Sequence, residues 1–88
     1  ATEADVLNVA LFGQTAKQWN EKNKNAEGNI RDNASIHQLL VMTNLEAINA
    51  QFIKEGLSQS VRLSKLREIA FEQLNKIESN PSVKNLTK

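Results

Sequence analysis

His37 is the only histidine in the 88 residues, and there is no cysteine. A zinc site needs three or four nitrogen, sulfur or carboxylate donors at ligand spacing. No carboxylate falls three or four residues from His37. It is expected as a solvated residue near a helix start. Nucleophilic catalysis needs a hydroxyl or thiol beside a base. With one histidine, no thiol and serines at helix-cap positions, no such pair can be drawn. Gly28 stands alone, so the chain has no glycine-rich phosphate cradle. Asn33-Ala34-Ser35 and Asn85-Leu86-Thr87 match the glycosylation pattern, but no secretory signal accompanies them. The expectation is a protein that is not an enzyme and carries no cofactor and no metal.

One segment could touch nucleic acid. Lys17, Lys22, Lys24 and Arg31 lie among Asn20, Asn23, Asn25 and Asn29, residue types that meet phosphates and base edges. Glu21, Glu27 and Asp32 interrupt it, which equally fits a solvated loop. Ile30 is expected to plug the core, with Arg31 tying the loop to a helix C-terminus or a carboxylate.

The totals narrow the class. Eleven basic residues stand against ten acidic ones, a formal charge of +1, so no global field draws nucleic acid or an anionic membrane. No apolar run approaches the roughly 20 residues that span a bilayer. A cytoplasmic protein with no membrane partner is expected. The chain opens "ATEADV" without an initiator methionine, which reads as a fragment of a longer protein.

The elements that position these residues are helical. Apolar residues recur at a period of 3.6 and do not alternate. The patterns predict helices near 3–12, 16–23, 35–55 and 59–78, separated by an aperiodic loop over 24–34. Thr2, Thr15, Ser35 and Ser58 stand at N-cap positions, and Gly13 and Gly56 where chains leave helices. Thr15/Gln18 and Ser35/Gln38 have the spacing of capping boxes. The fold class is therefore all-α: a small bundle of about four helices over 1–79, ending in an αα-hairpin, with a disordered tail over 80–88.

Within it, Trp19 is the sole large apolar residue of a short helix and is expected to be buried against the central one. The first half of that central helix, from Ile36 through Leu39, Leu40, Val41 and Met42, is apolar all round and is expected to be enclosed by neighbours. The last helix carries the stripe Leu63, Leu66, Ala70, Leu74 and Ile77. Val61, Ile69 and Phe71 lie off it, as surplus apolar surface expected to form an interface between copies.

Asn44 and Asn49 interrupt the apolar run "LLVMTNLEAINAQFI". Each falls beside apolar residues on the helical wheel. Two readings stand. In the first, the amides satisfy backbone groups of the 24–34 loop or of the first helix. Alternatively they pin a helix–helix seam and fix register or oligomer state.

"FGQTAKQW" (12–19), "GNIRD" (28–32), "NLEAINA" (44–50) and "GLSQSVRL" (56–63) stand in this order and spacing. Together they resemble the C-terminal part of KilA-N domain proteins, over roughly residues 3–77. Such proteins occur in phages, large DNA viruses and bacterial genomes, with an N-terminal α/β module thought to bind DNA. Asn44 and Asn49 match the family pattern; Asn20, Asn23-Lys24 and Asn33 depart from it. The resemblance implies a helical region following the α/β module, with DNA contacted through that module. Two functions are weighed. One is a non-enzymatic interaction or dimerisation module of such a DNA-binding protein. The alternative is a subdomain that itself binds nucleic acid through the 16–31 helix and loop.

Overall fold

The computed structural model describes residues 1–78; the tail over 80–88 lies outside them. Four helices follow in order: α1 (Glu3–Phe12), α2 (Ala16–Lys22), α3 (Ile36–Lys54) and α4 (Gln59–Glu78). No strand forms among the described residues.

Local chemistry sets three of the four helix starts in the same way. The Thr2 hydroxyl accepts from the Asp5 N–H at 3.1 Å, and the Asp5 carboxylate accepts from the Thr2 N–H at 3.2 Å. Thr15 and Gln18 repeat this at 3.1 and 2.8 Å, and Ser35 and Gln38 at 3.1 and 2.9 Å. Each box satisfies two backbone donors that a helix start leaves without partners. α1 ends at Gly13, whose φ of 76° is left-handed and whose N–H returns to the Val9 carbonyl.

α1, α3 and α4 pack against one another. Their shared core is Val6, Ala10 and Leu11 from α1, Val41, Met42 and Leu45 from α3, and Leu66 and Ala70 from α4. Fully burying each of the larger side chains stabilises the fold by about 1.5–3 kcal/mol. α3 and α4 form the αα-hairpin, joined through residues 55–58. They run antiparallel, since Asn44 meets Gln73 while Asn49 meets Arg62 further down the pair. Leu63, Leu74 and Ile77 of the α4 stripe pack on the core's edge, half-buried.

Two expectations are corrected. The first half of α3 is not enclosed. Val41 and Met42 are buried, but Ile36, Leu39 and Leu40 are 45, 41 and 45% exposed. Two helices, α1 and α4, can cover only one side of a third, and no fourth long helix reaches the other. Trp19 is not buried against the central helix either. α2 has two turns and buries no residue. Trp19 is half-buried, lining a cleft with Leu11, Phe12 and Ile30. At this end of the molecule it is Ile30 of the loop, 4% exposed, that is buried.

Candidate interaction surface and polar cluster

The outer side of α3 follows from its sequence. At 100° per residue, Ile36, Leu39, Leu40, Thr43, Ala47 and Ala50 fall within an arc of about 100°. All six are exposed. Val41, Leu45, Ile48 and Phe52 fall opposite and face the core. The Thr43 hydroxyl donates back to the Leu39 carbonyl at 3.1 Å, so its polar group is satisfied within the helix. Glu46 is the only charged residue between Ile36 and Ala50, and it lies at the edge of the arc. The Arg31 guanidinium holds it there, Nη2 to Oε1 at 2.7 Å. The result is an uncharged strip about 21 Å long at 1.5 Å per residue.

The residues expected to form an interface on α4 divide. Phe71 is 67% and Val61 42% exposed. Ile69 is not free surface: it is half-buried and packs on the core. It lies one residue before Ala70, which is buried between the helices.

The loop is organised by its own side chains. Asp32 accepts from the Asn29 N–H, and Asn29 accepts from the Asp32 N–H, both at 2.9 Å. Asn33 donates to the carbonyls of Glu27 and Asn29. Of the four basic candidates for nucleic-acid contact, Lys17, Lys22 and Lys24 are exposed. Arg31 is committed to Glu46, so the four do not form one cationic surface. His37 is not solvated as expected: it is half-buried, and its Nε2 is sealed from water without a partner among the described residues.

The two asparagines do different things, and neither serves the loop backbone. Asn44 is exposed and donates to Gln73 Oε1 at 3.1 Å, across the α3–α4 seam. Asn49 is 3% exposed and sits between two charged side chains. Its Nδ2 donates to Glu3 Oε1 at 2.9 Å, and its Oδ1 accepts from Arg62 Nη1 at 2.9 Å. Arg62, 6% exposed, also grips the Glu3 carboxylate in a two-pronged pair, Nη1 to Oε1 at 2.5 Å and Nη2 to Oε2 at 3.0 Å. Its Nε donates to the Leu57 carbonyl at 3.1 Å. One guanidinium thus ties α1, α3, α4 and the turn between the last two. A buried charge is tolerated only when paired and hydrogen-bonded, and these contacts supply both conditions. The hydrogen bonds from Arg62 and then Asn49 pull the Glu3 carboxyl down to about 2, against the smaller opposing effect of burial.

Glu3 and Arg62 were not singled out from the sequence, although a signal exists. Arg62, Leu66 and Ala70 form one i, i+4 row on α4, and Leu45 and Asn49 are likewise four apart on α3. A charged residue that continues a buried row must have a buried partner. The partner's identity cannot be read this way, because Glu3 is 59 residues distant from Arg62.

Among the described residues no group of three or more His, Cys, Asp or Glu could hold a metal ion. No helix there is long and apolar enough to cross a membrane. No family model, curated protein or solved structure matches the chain.

Proposed function

We propose that this chain is a helical interaction module that pairs with a second copy of itself through the outer face of α3. By the resemblance of its four motifs, it serves a KilA-N-type DNA-binding protein, whose upstream α/β domain contacts DNA. The observation that carries the reading is the exposed, uncharged strip from Ile36 to Ala50. Exposed apolar strips of this kind, bounded by polar residues, mark interaction sites.

A second copy suits the strip for two reasons. It bears no charge, so two identical faces meet without like-charge repulsion. Its size profile is also complementary under a two-fold axis. Ile36, Leu39 and Leu40 make one half bulky, while Ala47 and Ala50 make the other half small. With the axis between Thr43 and Asn44, Leu40 of one copy packs over Ala47 of the other. The pairing proposed here uses α3 in place of Val61, Ile69 and Phe71, because Ile69 is already covered by the core.

Sedimentation at tens of micromolar tests this. The parent is expected as a dimer and Leu40→Glu as a monomer; since Leu40 is 45% exposed within one chain, their melting midpoints are expected to coincide at dilutions where the parent is also monomeric and to separate as the parent pairs. A parent that sediments as a monomer removes the pairing. Direct binding of nucleic acid through 16–31 is the alternative. It predicts a steep fall of affinity with salt, lost when Lys17, Lys22 and Lys24 are replaced together by Ala.

A further inference from the structure

The cleft beside α2 has a chemistry that the outer face of α3 lacks. It encloses about 250 Å³, below the roughly 300–1,000 Å³ of drug-sized sites, which leaves room for one flat ring system. Trp19, the only tryptophan, lines it half-buried. Leu11, Phe12 and Ile30 are its apolar walls. No charged residue among the described ones lines it.

Three carboxamides supply its polar part: Gln14, Asn33 and Gln38. Two of them are held by one atom and keep the other spare. Gln38 Oε1 accepts from the Ser35 N–H in the capping box of α3, which fixes that amide and leaves Nε2 to donate. Asn33 Nδ2 donates to the Glu27 and Asn29 carbonyls, which leaves Oδ1 to accept. The third is short of a partner. Gln14 Oε1 is sealed from water with no hydrogen bond among the described residues. A sealed acceptor without a donor costs stability, and in native folds each such group calls for an explanation.

We propose that this cleft holds a single nucleobase, stacked on Trp19 and paired along its edge with the three carboxamides. Stacking on an aromatic side chain suits any base. A base edge such as adenine's sets an amino donor beside a ring-nitrogen acceptor. The cleft answers with a donor from Gln38 and acceptors from Asn33 and Gln14, the last after a small rotation of its side chain into the cleft. A sugar would set its hydroxyls against Leu11, Phe12 and Ile30. A proline segment brings no N–H to the waiting acceptors. Two sources share the chemistry, a free nucleoside and an unpaired base of a single strand. The site is independent of pairing through α3; its strand form rests on the second reading above, contact through 16–31.

Trp19 reports on the site, because the chain has no other tryptophan and no tyrosine. The test is its fluorescence as the 88-residue chain is titrated with adenosine, which carries no charge. Saturable quenching is expected. Gln38→Glu keeps the capping box, since glutamate accepts at that position as glutamine does, but it loses the Nε2 donor. It is expected to weaken adenosine binding roughly fivefold, the worth of one hydrogen bond, and to melt no lower than the parent. Quenching that does not saturate, or equal affinity in the parent and Gln38→Glu, overturns the proposal. Saturation by methyl glucoside and not by adenosine overturns it in favour of a sugar. A single-stranded oligodeoxyadenylate separates the sources. A strand that binds more tightly than adenosine, and loses the gain in salt or when Lys17, Lys22 and Lys24 are replaced by Ala, supports the site in its strand form. Equal binding of strand and nucleoside at every salt concentration supports the site in its free-nucleoside form, and the second reading then fails alone. A strand that binds without quenching Trp19 keeps the second reading and overturns this site.

Discussion

Replacing Asn49 by Ala isolates the worth of the polar cluster. The substitution removes two hydrogen bonds, one to Glu3 and one from Arg62, each 2.9 Å long. Hydrogen bonds to charged groups are worth about 1.5–3 kcal/mol each, so a naive sum is roughly 3–6 kcal/mol. The structure reduces that figure. The Glu3 side chain is 47% exposed, and water can take the place of the Asn49 amide there. The carboxylate and guanidinium also keep their two direct contacts. What remains is one inward-facing N–H without its acceptor, about 1–3 kcal/mol. Alanine's better helix propensity returns about 0.5 kcal/mol. The net expectation is a loss of about 0.5–2.5 kcal/mol, or roughly 2–20 °C in melting midpoint for a domain of this size. Thermal unfolding followed by circular dichroism measures it. Sedimentation in parallel should show no change of mass, because the cluster joins helices of one chain. A cycle with Glu3→Gln and the double variant should show coupling between the two sites. A single variant melting within two degrees of the parent, or one with altered mass, would rule out this role for Asn49.

Two further perturbations follow from the same geometry. The Glu3 carboxyl is held near 2 against an ordinary value of 4.5, so its folded form favours ionisation. Its stabilising contribution is complete above about pH 5 and is lost as pH falls toward 2. Melting midpoints measured across that window should fall for the parent and fall less for Glu3→Gln; parallel curves would count against the pairing. Exposure of the carboxylate to solvent keeps the effect modest. Gly28 has a φ of 79°, and a Cβ there would lie 2.8 Å from Asp32 Cβ and Oδ2. Gly28→Ala should therefore break the Asn29–Asp32 reciprocal bonds. Hydrogen exchange over 24–34 should accelerate while the α1, α3 and α4 core keeps its protection; unchanged exchange would contradict this.

The helices were legible because their signals are local. A hydroxyl residue with an acid or amide three positions on announces a start, and Thr2, Thr15 and Ser35 all do so. Val41, Leu45 and Leu66 were legible as core because period-3.6 rows mark a face. What failed was coverage, which belongs to the assembled molecule. The all-round apolar start of α3 read as an enclosed helix, since a sequence does not show how many neighbours arrive. Trp19 read as an anchor because it is large, yet α2 buries none of its residues. The polar cluster was illegible for a different reason. It depends on which residue stands opposite across the bundle: Asn49 finds partners on two other helices, Asn44 on one. An asparagine on a wheel looks the same in either case.

The pairing of the first helix with the last has a consequence for how the chain is made. α1 buries Val6, Ala10 and Leu11 largely against a core completed by Leu66 and Ala70, and Glu3 waits for Arg62. Synthesis at about 5–20 residues per second separates Phe12 from Leu66 by several seconds. During that interval α1 has its caps but lacks α4, and a ten-residue helix is marginal alone. The α3–α4 hairpin, whose partners are close in sequence, is the part that can assemble first, and α1 then docks onto it from the opposite end of the chain. Arg62 therefore acts as a completion lock: a nascent chain that has not yet delivered it holds Glu3 in water and leaves the N-terminal helix undocked.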